Sequence, residues 1–325
     1  MAASCYICAN ASDNRSFIAR ERMYGSGEEF VYFECERCRS LQIHPTPADL
    51  GRYYPPNYYS FGAPPLHGTA RGLRQFLRSH RAEYILHRRD IIGYLVAMVG
   101  PDYFDYSWDW FRYAGVTPKS AILDVGCGQG ALLRALQAQG FYNLTGADPF
   151  VQSGIRQPGF RIEKCEIQEL AGRYDFIMFH DSLEHMVDPR KTLRAAASLC
   201  RPGACVMVTI PLADSVQWRE YGDLWMPLDA PRHLLIPSLD GMVMLAGQAG
   251  FEVSRIKHDG GAFSFYGSEL YRKGLPYYQA DGSLTKDIAG MFSAAELKAF
   301  ADRAEQLNAR GQGDHACLHL RVRQN

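Results

Sequence analysis

The sequence predicts an α/β protein, with a mainly parallel sheet covered by helices on both faces and a small cysteine-bound module ahead of it. Short buried strands alternate with amphipathic helices from about residue 118 onward, the pattern of a parallel sheet. A strand runs directly into Gly126-Cys127-Gly128-Gln129-Gly130, which brings backbone close to a ligand at the strand's carboxyl end. Two Cys-x-x-Cys pairs stand within the first forty residues.

Residues 1–44 hold the cysteine pairs and the β-rich run Phe30-Val31-Tyr32-Phe33. Cys5-x-x-Cys8 and Cys35-x-x-Cys38 each aim two thiolates at one corner, and together they complete a closed tetrahedral Cys₄ site. A closed site has no open position for water, so the expected metal, Zn²⁺, is structural and the module is a zinc ribbon. A redox disulfide is the rival reading for a single pair and is disfavoured by the presence of two. The other five cysteines, Cys127, Cys165, Cys200, Cys205 and Cys317, are scattered through apolar segments and read as small hydrophobes.

Residues 45–115 form a connector and helical cap. The stretch 45–68 is rich in Pro, Gly and Tyr, which argues against a regular helix. From Gly72 to Met98 apolar residues at 73, 76, 77, 84, 91 and 95 predict a helix that Pro101 ends. Residues 116–325 form the main domain. Strands are predicted at Ala121–Val125, Leu144–Ala147, Phe160–Lys164, Tyr174–Phe179, Cys205–Ile210, Phe251–Ile256 and Cys317–Val322. Helices are predicted at Ala131–Gln139, Pro189–Leu199 and Leu239–Ala249, the first and last stopped by Gly140 and Gly250. Arg201-Pro202-Gly203 is read as the turn into the fifth strand.

The glycine turn has more around it than a bare turn. Asp124 precedes it, a helix follows, and a second strand ends at Asp148, where an acid can accept hydrogen bonds from ribose hydroxyls. Ala131 occupies the place of the last glycine in a dinucleotide fingerprint, a form that holds pyrophosphate at a helix N-terminus.

The segment LDVGCGQG resembles the first motif of class I S-adenosylmethionine (SAM) dependent methyltransferases, and the resemblance extends over residues 118–257. YDFIMFHDSLEHMVDP is similar to the family's fourth strand and following loop, and LCRPGACVMVTIP to its fifth strand. The resemblance implies a Rossmann-like, seven-stranded, mostly parallel sheet and SAM as cofactor. Asp124, Gly126, Gly128 and Gly130 would meet the methionine part and Asp148 the ribose. Glu166 and Ile167 would lie by adenine, although CEIQEL departs from the commoner acidic pair. His180 and Asp181 would face cofactor or acceptor. SAM carries an ammonium and a sulfonium, so an acid beside the turn makes electrostatic sense. The cysteine pairs followed by YYPPNYYSF resemble a subset with N-terminal zinc ribbons, associated with bacterial sugar and surface-glycan biosynthesis. That subset includes deoxysugar C-methyltransferases with a further C-terminal domain, which this chain is expected to lack.

Methyl transfer is an in-line displacement that needs alignment and exclusion of water. A hydroxyl acceptor also needs a base, and His185 or His233, with Asp181 as a further proton acceptor, are the catalytic candidates. Substrate walls are expected from Tyr58 and Tyr59 in the connector and from Trp218, Trp225, Asp229 and Arg232 in an acceptor insertion around 211–237: aromatic faces stack on rings, and Asp and Arg bond hydroxyls or phosphates. Arg71, Arg74, Arg78 and Arg81 recur at helical spacing, followed by Arg88 and Arg89. This stripe is a solvated face or a contact for a phosphorylated or nucleotide-linked acceptor.

Lys plus Arg equals Asp plus Glu, at 35 each. Such a neutral chain lacks the basic field of a general nucleic-acid binder. There is no apolar run long enough to span a membrane and no secretory leader, so a cytoplasmic location is expected. The sequence shows no His/carboxylate cluster near the glycine turn, and a catalytic metal is not expected. The function expected is O-methylation of a small polar acceptor, a sugar hydroxyl in glycan or natural-product assembly. The alternatives are an RNA-modifying methyltransferase docking through its ribbon, a phenol O-methyltransferase, and a binding module that has lost its chemistry.

Overall fold

The computed structural model describes residues 4–54, 58, 72–99, 104, 106–279, 283–285 and 288–323. In chain order its strands are β1 (Arg15–Arg20), β2 (Glu29–Glu34), β3 (Leu41–Ile43), β4 (Ile122–Val125), β5 (Leu144–Ala147) and β6 (Ile155–Gln157). They continue with β7 (Phe160–Glu163), β8 (Tyr174–His180), β9 (Cys200–Pro211), β10 (Leu235–Ile236), β11 (Phe251–His258) and β12 (His315–Val322). The chain divides into two compact units, each assembled from separate stretches. One holds Met1–Tyr59, Leu183–Arg190 and Thr209–Leu318; the other holds Ser60–Ser182, Lys191–Val208 and His319–Asn325.

The main sheet has the order β11-β12-β9-β8-β4-β5-β7-β6. Strands β5, β4 and β8 lie side by side in parallel, as do β5 and β7. Strands β4 and β5 are buried along their whole length, and β8 is buried everywhere except at Asp175 and His180, as both faces of a covered sheet require. Among the described residues the sheet has eight strands rather than the expected seven. The addition is β6, which pairs antiparallel with β7 with Gln157 opposite Phe160. The Pro158-Gly159 turn makes this hairpin: Pro sets φ at the first turn position, and Gly159 takes φ +72° at the second. A short edge strand of three residues leaves little periodicity to read.

Three other expectations are corrected. The continuous helix over Gly72–Met98 is two helices, Leu73–His87 and Ile91–Val99. Arg88 breaks it with φ +58°, and the Asp90 carboxylate restarts it by accepting the Gly93 N–H at 2.7 Å. Strand β9 begins at Cys200 and passes through the expected turn, with Gly203 at φ +78°. Helices Trp108–Ala114, Val216–Tyr221, Ala262–Arg272 and Ala294–Ala309 were not foreseen.

The first unit has its own antiparallel sheet, β1-β2-β3-β10. Its core gathers Tyr32, Leu41, Trp225, Leu228, Ile236 and Phe265, all buried. No helix among the described residues is long and apolar enough to cross a membrane.

Candidate functional site

Three groups of side chains stand out, two in the first unit and one in the second.

The first is the cysteine quartet. Cys5 and Cys35 open two knuckles of matching geometry. The Ala9 N–H donates to the Cys5 carbonyl at 2.9 Å and the Arg39 N–H to the Cys35 carbonyl at 2.8 Å. The Cys5 N–H donates to Asn10 and the Cys35 N–H to Ser40, at 2.8 and 2.9 Å. Ala9 and Arg39 both adopt the left-handed conformation, at φ +59° and +58°. The result is four thiols facing one point: Cys5 Sγ and Cys38 Sγ are 3.5 Å apart, as are Cys8 Sγ and Cys35 Sγ. All four sulfurs lie within 4.8 Å of one another. A tetrahedron with metal–sulfur bonds of about 2.3 Å has edges of about 3.8 Å, so the donor set fits zinc. The Gln42 amide donates to Cys5 Sγ at 3.1 Å, an outer-shell contact that suits a thiolate. Hydrogen bonding from Cys38, opposed by burial, pulls the Cys5 thiol down to about 4, while Cys38 is pushed up.

The second group surrounds the glycine turn at the carboxyl ends of β4 and β5. Gly126, Gly128 and Gly130 all have positive φ. At Gly130 the φ of +78° would strain any other residue, and a Cβ there would lie 2.7 Å from Ile162 Cδ1 on β7. Asp148 binds the turn directly: Oδ2 accepts the Gly128 N–H at 2.9 Å and Oδ1 the Phe150 N–H at 2.8 Å. Asp124 is buried beside it, and its Oδ1 has no hydrogen-bond partner. Burial, then the charge of Asp148, pushes the Asp124 carboxyl up to about 8. Burial also raises Asp148, against the pull of its backbone N–H donors. A buried, unpartnered carboxyl next to another acid is costly unless a donor or cation arrives. This is the fit expected for a ligand bearing an ammonium and ribose hydroxyls.

His180, at the end of β8, sits against Trp110 and Tyr106, with ring centroids 5.3 and 5.7 Å away, and its Nε2 is 3.7 Å from Asp181. Ser182 Oγ donates to the Val125 carbonyl at 2.7 Å, tying the end of β8 to the end of β4. Glu166 is exposed and caps a short helical turn together with Glu169, while Ile167 is buried. Glu166 therefore already has a local partner, and Ile167 is the apolar member of that pair.

The third group is a histidine pair. The rings of His185 and His233 meet edge to face with centroids 4.6 Å apart. His185 Nδ1 lies 3.0 Å from both the Arg232 carbonyl and the Tyr54 hydroxyl. A carbonyl only accepts, so Nδ1 carries the proton and Nε2 is the bare nitrogen. Burial and the neighbouring His233 ring push His185 down to about 3. His233 Nδ1 donates to the Pro227 carbonyl at 2.7 Å, and its Nε2 lies 3.8 Å from Glu184 and 4.0 Å from Asp229. Glu184, His185 and His233 bring ligand atoms within 4.8 Å of one another, a clustering the sequence did not announce.

Most of the residues expected to form the acceptor walls lie in the interior of the first unit. Arg232 is wholly interior: it binds Asp229 through Nε and Nη2, at 2.9 and 2.6 Å to Oδ1, and Glu21 through Nη2 at 2.7 Å. Its Nη1 donates to the Tyr53 carbonyl. Trp225 is buried and donates its indole N–H to Asp314 at 2.9 Å. Trp218 packs on Phe17 and Trp225. A guanidinium and an indole so committed hold the unit together. Tyr58 is buried against Tyr24 and Tyr54; Tyr59 and Arg71 lie outside the described residues. Tyr54, Glu184, Trp110, Ser182 and Gln42 were missed as site residues. Each acts through a partner far away in the chain, so no local spacing marks it.

Residues 111–256 match the model of a family described as a methyltransferase domain, close to the segment 118–257 that carries the resemblance. The ubiquinone biosynthesis O-methyltransferase of Bordetella avium (strain 197N) is 35% identical over 112 residues, 30% of this chain and 46% of that protein. The protein of the same name from Erwinia tasmaniensis is 31% identical over 123 residues, 34% of this chain and 50% of that one. The chain thus spans about half the length of the curated relatives it matches. A solved S-adenosylmethionine dependent methyltransferase from Mesorhizobium loti is 13% identical, with a TM-score of 0.40, over 66% of this chain and 96% of that one. The matched segment, residues 111–256, is thus similar to a methyltransferase domain and contains the parallel strands β4, β5, β7 and β8.

Proposed function

We propose that the chain is a SAM-dependent methyltransferase that methylates a hydroxyl of a small polar acceptor. The observation that carries this reading is the acid pair at the glycine turn: Asp148 holds the turn through Gly128, and Asp124 is buried beside it with Oδ1 unpartnered. When bound, SAM supplies an electrophilic methyl group on a sulfonium. The chain's part is then to bind, to align and to take a proton. Asp124 and the backbone of the turn bind the methionine end, Asp148 the ribose, and His180 lies at the end of β8. The cysteine quartet would hold a Zn²⁺ through its four thiolates, and the metal would supply stability to the module and no chemistry.

Of the two histidines, we assign the proton-accepting role to His233. Its Nδ1–H is fixed on the Pro227 carbonyl, which leaves Nε2 as the basic atom, and Glu184 and Asp229 stand where they would stabilise an imidazolium. His185, already pushed down to about 3, is a weak base and acts as the edge that orients His233.

The acceptor we propose is a sugar-like, hydroxyl-bearing ring, on the resemblance of the N-terminal segment to the glycan-associated subset. A phenol is the second reading. It is favoured by the names of the matched relatives, ubiquinone biosynthesis O-methyltransferases, and by the loss of Trp225, Asp229 and Arg232 as free sugar contacts. Incubation with labelled SAM and a panel of nucleotide-sugars, free glycans, phenols and RNA tests this. Label in a saccharide supports the first reading and label in a phenol the second. Label in RNA overturns both, and SAM binding without transfer to any acceptor leaves a binding module.

A further inference from the structure

The helical hairpin in the second unit carries a surface that none of the three groups uses. The helix Ile91–Val99 reads IIGYLVAMV, with no charged residue, yet Ile91, Leu95, Met98 and Val99 are 80, 58, 68 and 88% exposed. Its one buried residue is Gly93, which seats on the preceding helix so closely that a Cβ would lie 2.0 Å from the His80 carbonyl oxygen. That contact turns one side of the helix inward and leaves the apolar remainder outside. Leu73 and Phe76, on the preceding helix, are exposed as well. That helix is anchored by its own polar side: Gln75 Nε2 and Ser79 Oγ both donate to the Gly140 carbonyl at 2.7 Å. Contiguous exposed apolar residues of this size mark an interaction surface rather than ordinary solvent exposure.

The charge beside it points to the occupant. Residues 73–99 hold five arginines, at 74, 78, 81, 88 and 89, against two acids, in a chain of zero net charge. Asp90, one of the two acids, is taken up by His80 and by the Gly93 N–H. Arg74, Arg78, Arg88 and Arg89 are exposed, and the last two stand immediately before the apolar helix. Two copies joined face to face through this helix would set arginine against arginine across a two-fold axis. A bilayer with anionic headgroups takes both components, the apolar side chains below the headgroups and the guanidinium groups on the phosphates.

We propose that the hairpin Leu73–Val99 docks the protein peripherally on an anionic lipid surface, with Ile91, Leu95, Met98 and Val99 inserted and Arg74, Arg78, Arg88 and Arg89 on the headgroups. The proposal concerns where the protein works and does not depend on the acceptor. The full chain is sedimented with phosphatidylcholine vesicles and with phosphatidylcholine–phosphatidylglycerol vesicles, alongside R88Q/R89Q and L95S/M98S variants. All four side chains are exposed, so the variants keep the wild-type melting temperature. The expected result is binding to the anionic vesicles alone, weakened by added salt and roughly tenfold or more weaker in each double variant. No binding to anionic vesicles overturns the proposal, as does binding that both variants retain. A concentration-dependent dimer that L95S/M98S dissolves, without vesicle binding, overturns it in favour of a second copy of the chain.

Discussion

Asp148, at the end of β5, accepts the Gly128 N–H with one carboxylate oxygen at 2.9 Å and the Phe150 N–H with the other at 2.8 Å. One side chain therefore shapes the turn, and in the proposed function it also receives a ribose hydroxyl. Asp148→Ala removes both roles. We expect SAM affinity to fall by roughly 1.5–3 kcal/mol, the cost of a lost charge-assisted hydrogen bond, and calorimetry measures it. Asp148→Asn keeps an oxygen acceptor and should lose less. Equal losses in the two variants would mean that the charge, and not the hydrogen bond to the turn, is what matters.

The Asp124 carboxyl, pushed up to about 8, titrates far above an aspartate in an unfolded chain, which does so at about 4. The folded protein keeps a proton that the unfolded chain gives up. This group's contribution to stability is therefore full below pH of about 4 and declines as pH rises toward 8. A cationic ligand reverses the balance by favouring the carboxylate. SAM binding near neutral pH should then release a proton, and its affinity should rise with pH up to about 8. Calorimetry in buffers of different ionisation enthalpy detects the released proton. Affinity that does not change over this range would place the ammonium away from Asp124.

The cysteine quartet should hold one zinc per chain when the protein is purified without added metal. Elemental analysis checks the stoichiometry. Cys35→Ser should lower it and destabilise the β1-β2-β3-β10 sheet, because binding to such a site is folding free energy. A metal content near zero, with all four thiols reactive, would leave the quartet a set of free cysteines.

His233→Ala should lower turnover by about 10²–10⁴-fold with SAM affinity little changed. His185→Ala should cost less, because the ring packed edge to face against His233 positions it and does not take the proton. If His185→Ala is the more damaging variant while His233→Ala keeps its rate, the roles of the two rings are exchanged.

Arg232 is buried with Asp229 and Glu21 and should behave as a structural residue. Removing one member of a buried ion group costs about 3–5 kcal/mol, because the partners are left charged and unpaired. Arg232→Ala should therefore lower the melting temperature sharply. Arg232→Met should recover part of the loss by filling the space. A variant that melts like the wild type but has a raised KM would restore Arg232 to the acceptor site.

What could be read from the sequence was local. The strand into the glycine turn, the helix after it and the acid ending the next strand form one contiguous stretch, and hydrogen bonds over few residues shape it. The two cysteine knuckles are likewise complete within five or six residues each, so their pairing into one site was readable from spacing. The apolar runs of β4, β5 and β8 announced a covered parallel sheet. The break at Arg88 and the β6 hairpin were less readable, because a single left-handed residue or a three-residue strand barely alters the periodicity around it.

The tertiary structure decided which polar residues were free to meet a ligand. Trp, Asp, Arg and His close together in 218–233 read equally well as a binding wall or as an interior. The choice depended on Glu21 and Tyr53, some two hundred residues earlier, which take the Arg232 guanidinium, and on Asp314, which takes the Trp225 indole. It also decided that His185 meets His233 and Tyr54 rather than standing alone on its loop. A residue type and its spacing set what chemistry a side chain can perform. Whether that chemistry is spent inside the fold or offered to a ligand depends on burial and on partners distant in the chain, and only the folded molecule brings those together.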